Sequence, residues 1–184
     1  MEIQVITITG EVATGKSTIA EALLEKLEGW RKANTGQKFR EICASRGWSI
    51  QKVSFLPDEV HKEVDEWQKM VAETESRIII EGRLAGWLTR DLAHVFQVFC
   101  WTPLDVRVQR YMEREHTTEE IARSEIEFRD QQDVLKYQRA YDLEDYRDPS
   151  FYDLFIDTSK YTPEEIADLI IEKAHLKSEL RAEA

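Results

Sequence analysis

Gly10-Glu11-Val12-Ala13-Thr14-Gly15-Lys16-Ser17 is a complete G-x-x-x-x-G-K-S string, and it follows directly on the apolar run Ile3-Gln4-Val5-Ile6-Thr7-Ile8-Thr9. A strand that ends in a glycine loop and passes at once into a helix, here opened by Ser17-Thr18-Ile19-Ala20, points backbone N–H groups and the positive end of the helix at one place. That arrangement cradles an anion, and the spacing matches the loop that holds the phosphates of a nucleoside triphosphate. Gly10, Glu11, Val12, Ala13, Thr14, Gly15, Lys16, Ser17 and Thr18 are therefore the expected triphosphate contacts. Lys16 is expected to reach the β- and γ-phosphates, with the Ser17 hydroxyl in the shell of a bridging Mg²⁺ ion. The Glu11 side chain, a carboxylate beside a phosphate site, is expected to point into solvent.

The rest of the chain alternates helical and strand periods, the pattern of an α/β fold with a parallel sheet. Ile19, Leu23, Leu24 and Leu27 share one face of a helix over Thr18–Glu28, followed by a short strand near Trp30–Ala33. Thr35-Gly36 turns into a helix carrying Phe39, Ile42 and Cys43 that stops at Gly47, and Ser49 and Asp58 read as caps of two further helices. Arg77–Glu81 and Val95–Trp101 read as buried strands. Helices then follow from Pro103 to Glu115 and from Thr118 to Tyr146, with a last strand at Tyr152–Asp157 and a final helix from Pro163. These elements fit a single three-layer α/β/α domain with a five-stranded parallel sheet.

The 184 residues allow one well-buried core. A net charge of −11 argues against a nucleic-acid backbone or an anionic membrane as the main partner. Cys43 and Cys100 stand alone, without metal-ligand spacing, as suits a reducing compartment. The first strand starts at the third residue and no apolar run approaches the roughly 20 residues of a membrane span, so a soluble cytoplasmic protein is expected. With no obvious apolar patch, a monomer is expected as well.

Against that acidic background, Arg40, Arg83, Arg107, Arg110, Arg114, Arg123 and Arg129 recur near the ends of elements, where open α/β sheets gather ligands. Arg107, Arg110 and Arg114 have the spacing of one helix face, on which cations repel unless an anion or carboxylate compensates. Glu81-Gly82-Arg83 follows a buried strand, so Glu81 is placed to hold a water of the Mg²⁺ shell and Arg83 to enter a cleft. The stretch Glu113–Asp148 is dense in both signs of charge and poor in aliphatic residues, as a mobile lid would be. Tyr137, Tyr141 and Tyr146 read as packing ridges without chemistry.

With the phosphate loop, Thr35-Gly36-x-x-Phe39-Arg40, Glu81-Gly82-Arg83-Leu84-Ala85-Gly86-Trp87 and Arg129-Asp130-x-x-Asp133 in view, the chain resembles the cytidylate kinase family of nucleoside monophosphate kinases, closest to its short archaeal-type branch. The resemblance implies ATP- and Mg²⁺-dependent phosphorylation of CMP or dCMP, with nucleotides as the partners. It implies Thr35 and Arg40 at the acceptor phosphate, Arg83 at the cytosine edge and Asp133 near the acceptor sugar. Arg110 and Arg114 become donor-phosphate ligands, and Arg129 is shared with the acceptor side. Lys136 stands where the lid motif often has another arginine, with Arg139 one turn on as its alternative. By the same resemblance the core spans 1–34, 77–112 and 150–184, the monophosphate-binding part 35–76 and the lid about 113–148. Two other readings stay open: a kinase for another small acceptor, and an ATP-dependent switch. The N-K-x-D element of guanine-specific switches is absent, since Asn34 is the sole asparagine.

Overall fold

Every residue of β1 (Val5–Gly10) is buried, so the strand is covered on both faces and flanked on both edges. In the computed structural model, which describes residues 2–48 and 58–175, its neighbours are β3 (Ile78–Glu81) and β4 (Val95–Trp101). With β2 (Arg31–Asn34) outside β3 and β5 (Leu154–Asp157) outside β4, the sheet has the order β2-β3-β1-β4-β5, and every pairing is parallel. The register sets Thr7 beside Ile80 and Gln97, and brings the carboxyl ends of β1, β2 and β3 to one rim. Ligands of open α/β sheets sit at that rim, where the strand order reverses about β1.

Side chains alternate across β1 as the strand period requires. Ile6 and Ile8 face α1 (Lys16–Lys26) and α7 (Pro163–Lys173), in a core with Ile19, Leu23, Ile166 and Ile170. Val5 faces the opposite layer, with Val71 of α3 (Asp58–Thr74) and Ala85 of α4 (Ala85–Leu88). α2 (Thr35–Ser45) rests on α3 through Ile42, Val60 and Val64. α5 (Leu104–Glu115) and α6 (Glu119–Tyr141) complete the molecule; Val108, Ala122 and Ile126 pack with Val12 of the glycine loop. No helix among the described residues is long and apolar enough to cross a membrane.

Boundaries differ from the sequence reading at several elements, and α4 has no counterpart in it. α1 starts at Lys16, because Gly15 in the left-handed region (φ 86°) already closes the loop, and it ends at Lys26. β5 is shorter, since Pro149–Phe151 forms a 3₁₀ turn ahead of it. α6 stops at Tyr141, where Asp142 adopts a left-handed conformation, φ 53°, rather than continuing to Tyr146. That turn returns the fully buried Tyr146 to Phe99 and Tyr137, with ring centroids at 6.2 and 5.0 Å. Tyr137 and Tyr146 both pack, though Tyr146 does so from beyond the helix rather than as a ridge of it. The expected cap Ser49 lies outside the described residues, and Asp58 opens α3.

Gly86 joins the two sides of this packing. Its N–H donates to Thr9 Oγ1 at 2.7 Å, and an added Cβ would meet Tyr152 at 2.7 Å and Thr9 Oγ1 at 2.9 Å. Tyr152 is itself pinned on Phe99, with centroids 4.9 Å apart, so neither neighbour gives way freely. Gly86→Ala is expected to cost about 1–3 kcal/mol by overpacking, read as a lower urea midpoint at unchanged slope.

Candidate active site

Gly10 allows β1 to turn where a side chain could not fit: a Cβ there would lie 2.5 Å from the Cys100 carbonyl of β4. The loop closes on itself, with Thr14 Oγ1 donating to the Glu11 carbonyl at 3.1 Å. Lys16 folds back across it, its Nζ 2.5 Å from the same carbonyl. Burial, reinforced by the like charge of Arg83, pulls the Lys16 ammonium down to about 8.

The ends of three strands meet beside this lysine. Ser17 Oγ donates to Glu81 Oε1 at 2.5 Å and Asn34 Nδ2 donates to Glu81 Oε2 at 2.8 Å, so both carboxylate oxygens are held. Thr35 Oγ1 donates to the Glu81 carbonyl at 2.6 Å. These contacts open onto a cavity of about 560 Å³ that Lys16, Ser17, Thr35, Arg40, Glu81, Arg83, Arg114, Arg129 and Asp133 line together. Arg83 is paired to Asp133, which also takes Lys136 Nζ at 2.9 Å. Burial works to raise the Asp133 carboxyl, but the two cations prevail and hold it down to about 2. Among the described residues Arg40 and Arg129 form no ion pair. Lys136 and Arg139 both line this cavity.

A second cavity, of about 520 Å³, lies on the other side of the loop. Ala13, Gly15, Thr18, Arg110, Arg114, Thr158 and Tyr161 line it, so Arg114 borders both spaces. Arg110 donates through Nη1 and Nη2 to the hydroxyl and carbonyl of Thr158, each at 3.0 Å, and Thr158 Oγ1 donates to the Thr14 carbonyl at 2.8 Å. The chain after β5 is thereby tied to the loop.

A family model described as the cytidylate kinase-like family matches residues 30–160. The chain belongs to that family. It is 33% identical over 168 residues to a cytidylate kinase of Natronomonas pharaonis, covering 90% of this chain and 86% of the relative. A cytidylate kinase of Pyrococcus abyssi is 35% identical over 169 residues, covering 90% and 91%. Among solved structures, a gluconokinase from Sinorhizobium meliloti superimposes with a TM-score of 0.64 at 15% identity, covering 94% of this chain and 91% of that one. A shikimate kinase from Acinetobacter baumannii gives 0.58 at 18%, covering 92% of each chain. At these identities the two structures show the three-layer kinase fold alone.

Three expectations need correction in this family member. Glu11 does not point into solvent: it is 4% exposed, with its Oε2 3.7 Å from Arg107 and its Oε1 3.4 Å from Arg147. The buried Arg107 cation needs carboxylates around it, and Glu11 is one of them. Nor do Arg107, Arg110 and Arg114 present one cationic face. Arg107 turns inward to Asp130 at 2.7 Å, Arg110 takes Thr158, and Arg114 pairs with Glu115 at 2.7 Å. Arg123, finally, pairs with Asp105 at 2.7 Å on the surface, away from both cavities.

Several site residues had no mark in the sequence. Asp65 and Gln68 of α3 line the larger cavity; Asp65 accepts from Tyr141 Oη at 2.7 Å and from Gln68 Nε2 at 3.0 Å, and burial pushes its carboxyl up to about 6. Tyr141 therefore has a polar role beyond packing. An Asp and a Gln three apart, on the face of α3 that carries Val64 and Val71, were the available clue. Asn34 both caps α2, accepting from Gln37 N at 2.8 Å, and holds Glu81, which only the strand register reveals.

The half-buried Lys16 makes a linked prediction. Its folded pKa near 8 lies below the ordinary 10.5, so the unfolded chain binds the extra proton between those values and stability gains with rising pH across that window. Lys16→Met is expected to stabilise the empty protein by about 1–3 kcal/mol at neutral pH. The advantage should vanish as the pH is raised through the window, in paired urea titrations of the two proteins.

Proposed function

We propose that the protein transfers the γ-phosphoryl group of ATP to CMP or dCMP, releasing ADP and CDP or dCDP. The observation that carries this reading is one cavity lined by both the Lys16–Ser17 end of the phosphate loop and the Thr35, Arg40, Arg83 and Asp133 set, with Arg114 shared with the space beyond the loop. Two phosphate-binding sets facing one space suit a donor and an acceptor better than a single hydrolysed nucleotide. The cytidylate kinase relatives supply the base and the acceptor class.

The acceptor oxygen is already anionic, so no side chain has to become a nucleophile. The protein's work is to bring two polyanions together. At about 4 Å each pair of unit charges repels by roughly 4 kcal/mol at an effective dielectric of 20. Lys16, Arg110, Arg114 and Arg129 offset that repulsion around the transferred group, where a fixed cation stabilises developing charge without reorganisation. Arg40 and Thr35 hold the acceptor phosphate, Arg83 the cytosine edge and Asp133 the sugar. The loop backbone from Gly10 to Thr18 holds the donor phosphates, its Glu11 side chain turned away into the protein.

The hydroxyl of Ser17 and the carboxylate of Glu81 are hard oxygen donors beside the loop, and no group of three or more acidic, His or Cys residues among those described forms a metal cage. Such a sparse set fits Mg²⁺, which keeps waters and phosphate oxygens as its other ligands, with Glu81 acting through water. When bound, such an ion would supply charge neutralisation at the donor phosphates. Residues 35–76 act as the acceptor-binding part and about 113–148 as the lid over a core of 1–34, 77–112 and 150–184; lid closure excludes water and favours transfer over hydrolysis.

A coupled assay over CMP, dCMP, UMP, AMP, GMP, shikimate and gluconate is expected to release ADP with the cytidine nucleotides, and preference for any other acceptor overturns the assignment. Arg40→Ala should raise KM for the monophosphate about tenfold or more while KM for ATP stays within about twofold, and Lys16→Ala should lower kcat by about 10²–10³. Equal effects of Arg40→Ala on both substrates would reverse the division of donor and acceptor sides.

A further inference from the structure

We propose that Arg107 is a positioning residue, the centre of a buried charge latch through which α6 sets the geometry of the phosphate loop. Its guanidinium sits behind the loop, and neither cavity is lined by Arg107, Glu11, Asp130 or Arg147. Among the described residues one nitrogen, Nη1, faces three polar partners: Asp130 Oδ2 of α6 at 2.7 Å, the Val12 carbonyl at 3.3 Å and Glu11 Oε2 at 3.7 Å. From the chain beyond α6, Arg147 reaches Glu11 Oε1 at 3.4 Å while anchored on Asp145 at 2.7 Å. The carbonyl of that same Glu11 receives Lys16 Nζ. A displacement of α6 therefore has a short path to the lysine: Asp130, Arg107, Glu11, Lys16.

The latch is incompletely bonded as it stands. Among the described residues, Arg107 Nε and Asp130 Oδ1 are buried without a hydrogen-bond partner. An arginine and a carboxylate normally meet with two parallel bonds, and a buried polar atom left unpaired is costly. Here Asp130 is met by Nη1 alone, the nitrogen that also faces the Val12 carbonyl and Glu11, while the Nε edge and Asp130 Oδ1 are left open. A small shift of α6 that lets Arg107 grip both Asp130 oxygens through its Nε and Nη2 edge turns the guanidinium and draws Nη1 from Val12 and Glu11, so the two contacts compete for one guanidinium. Apolar packing transmits the same motion, since Val12 of the loop lies against Ala122 and Ile126 of α6. The two arrangements couple lid position to the grip on the donor phosphates.

This inference rests on the reading that the loop holds ATP, and its test needs no acceptor. Calorimetric titration of ATP with magnesium chloride into the full chain is expected to give Glu11→Gln and Asp130→Asn each a five- to tenfold weaker Kd, about the range of an ordinary coupling between sites. The double variant should be no weaker than the poorer single one, because both act through Arg107. In steady state KM for ATP should follow Kd while KM for CMP stays within about twofold, a split that general loosening of the fold would not produce. Should Asp130→Asn unfold, Asp130→Glu keeps the charge but displaces it and is expected to weaken ATP binding in the same direction. Unchanged ATP affinity in the folded Asp130 variant overturns the latch, as do multiplying effects in the double variant. A wild-type protein that binds no ATP overturns the donor reading and the latch with it.

Discussion

Crowding of like charge in one cleft is the constraint around which this molecule is built. The chain carries a net charge of −11, yet Lys16, Arg40, Arg83, Arg114, Arg129 and Lys136 face a single cavity. Cations gathered in a partly desolvated space repel, and the strain appears as the depressed ammonium of Lys16, lowered by burial and then by Arg83. Asp133 and Glu81 relieve part of it. What remains is a field that favours entry of an anion, held ready before any ligand arrives.

Only a stiff frame can hold such groups in place. β1 supplies it by being buried throughout and flanked by parallel neighbours in register, so Gly10 and Glu81 end at one rim. The hydrogen bonds of Glu81 to Ser17 and Asn34 then lock the start of α1 to the ends of β2 and β3. The apolar faces of α1 and α7 need only cover the sheet. Thus the hydrophobic core fixes the rim, and the rim fixes the cations.

This division explains what could be read from the sequence. Elements governed by local pattern were legible: the β-branched runs of β1, β3 and β4, the glycine loop, Pro163 at the start of α7, and the basic residues that line the larger cavity. The failures lie where a distant partner decides. Glu11 looked like a solvent carboxylate because Arg147 stands 136 positions away, and Arg107 looked like part of a cationic face because Asp130 stands 23 positions away on another helix. α6 ended early because Tyr146 had to return to Phe99, a demand that the helix's own charge pattern does not express. Thr158 joins the glycine loop through bonds to Arg110 and the Thr14 carbonyl, and an isolated threonine after a strand gives no warning of that.

The same reasoning accounts for α6 itself. It has 23 residues but buries only Ala122, Ile126, Asp133 and Tyr137, too few apolar groups to hold a helix of that length by packing alone. Further anchors are polar, among them Asp133 on Arg83 and Lys136, Asp130 on Arg107, and Tyr141 Oη on Asp65. An ionic anchor that faces a cavity, as Asp133 on Arg83 does, differs from an apolar one in that a polar ligand can contend for it, whereas Asp130 on Arg107 lies behind the loop. A ligand that accepts a hydrogen bond from Arg83 contends with Asp133 for it, whereas no small ligand contends with Ile126 for Val12. A helix fastened in part by such a pair is placed to respond to occupancy of the cleft without any hinge of special sequence.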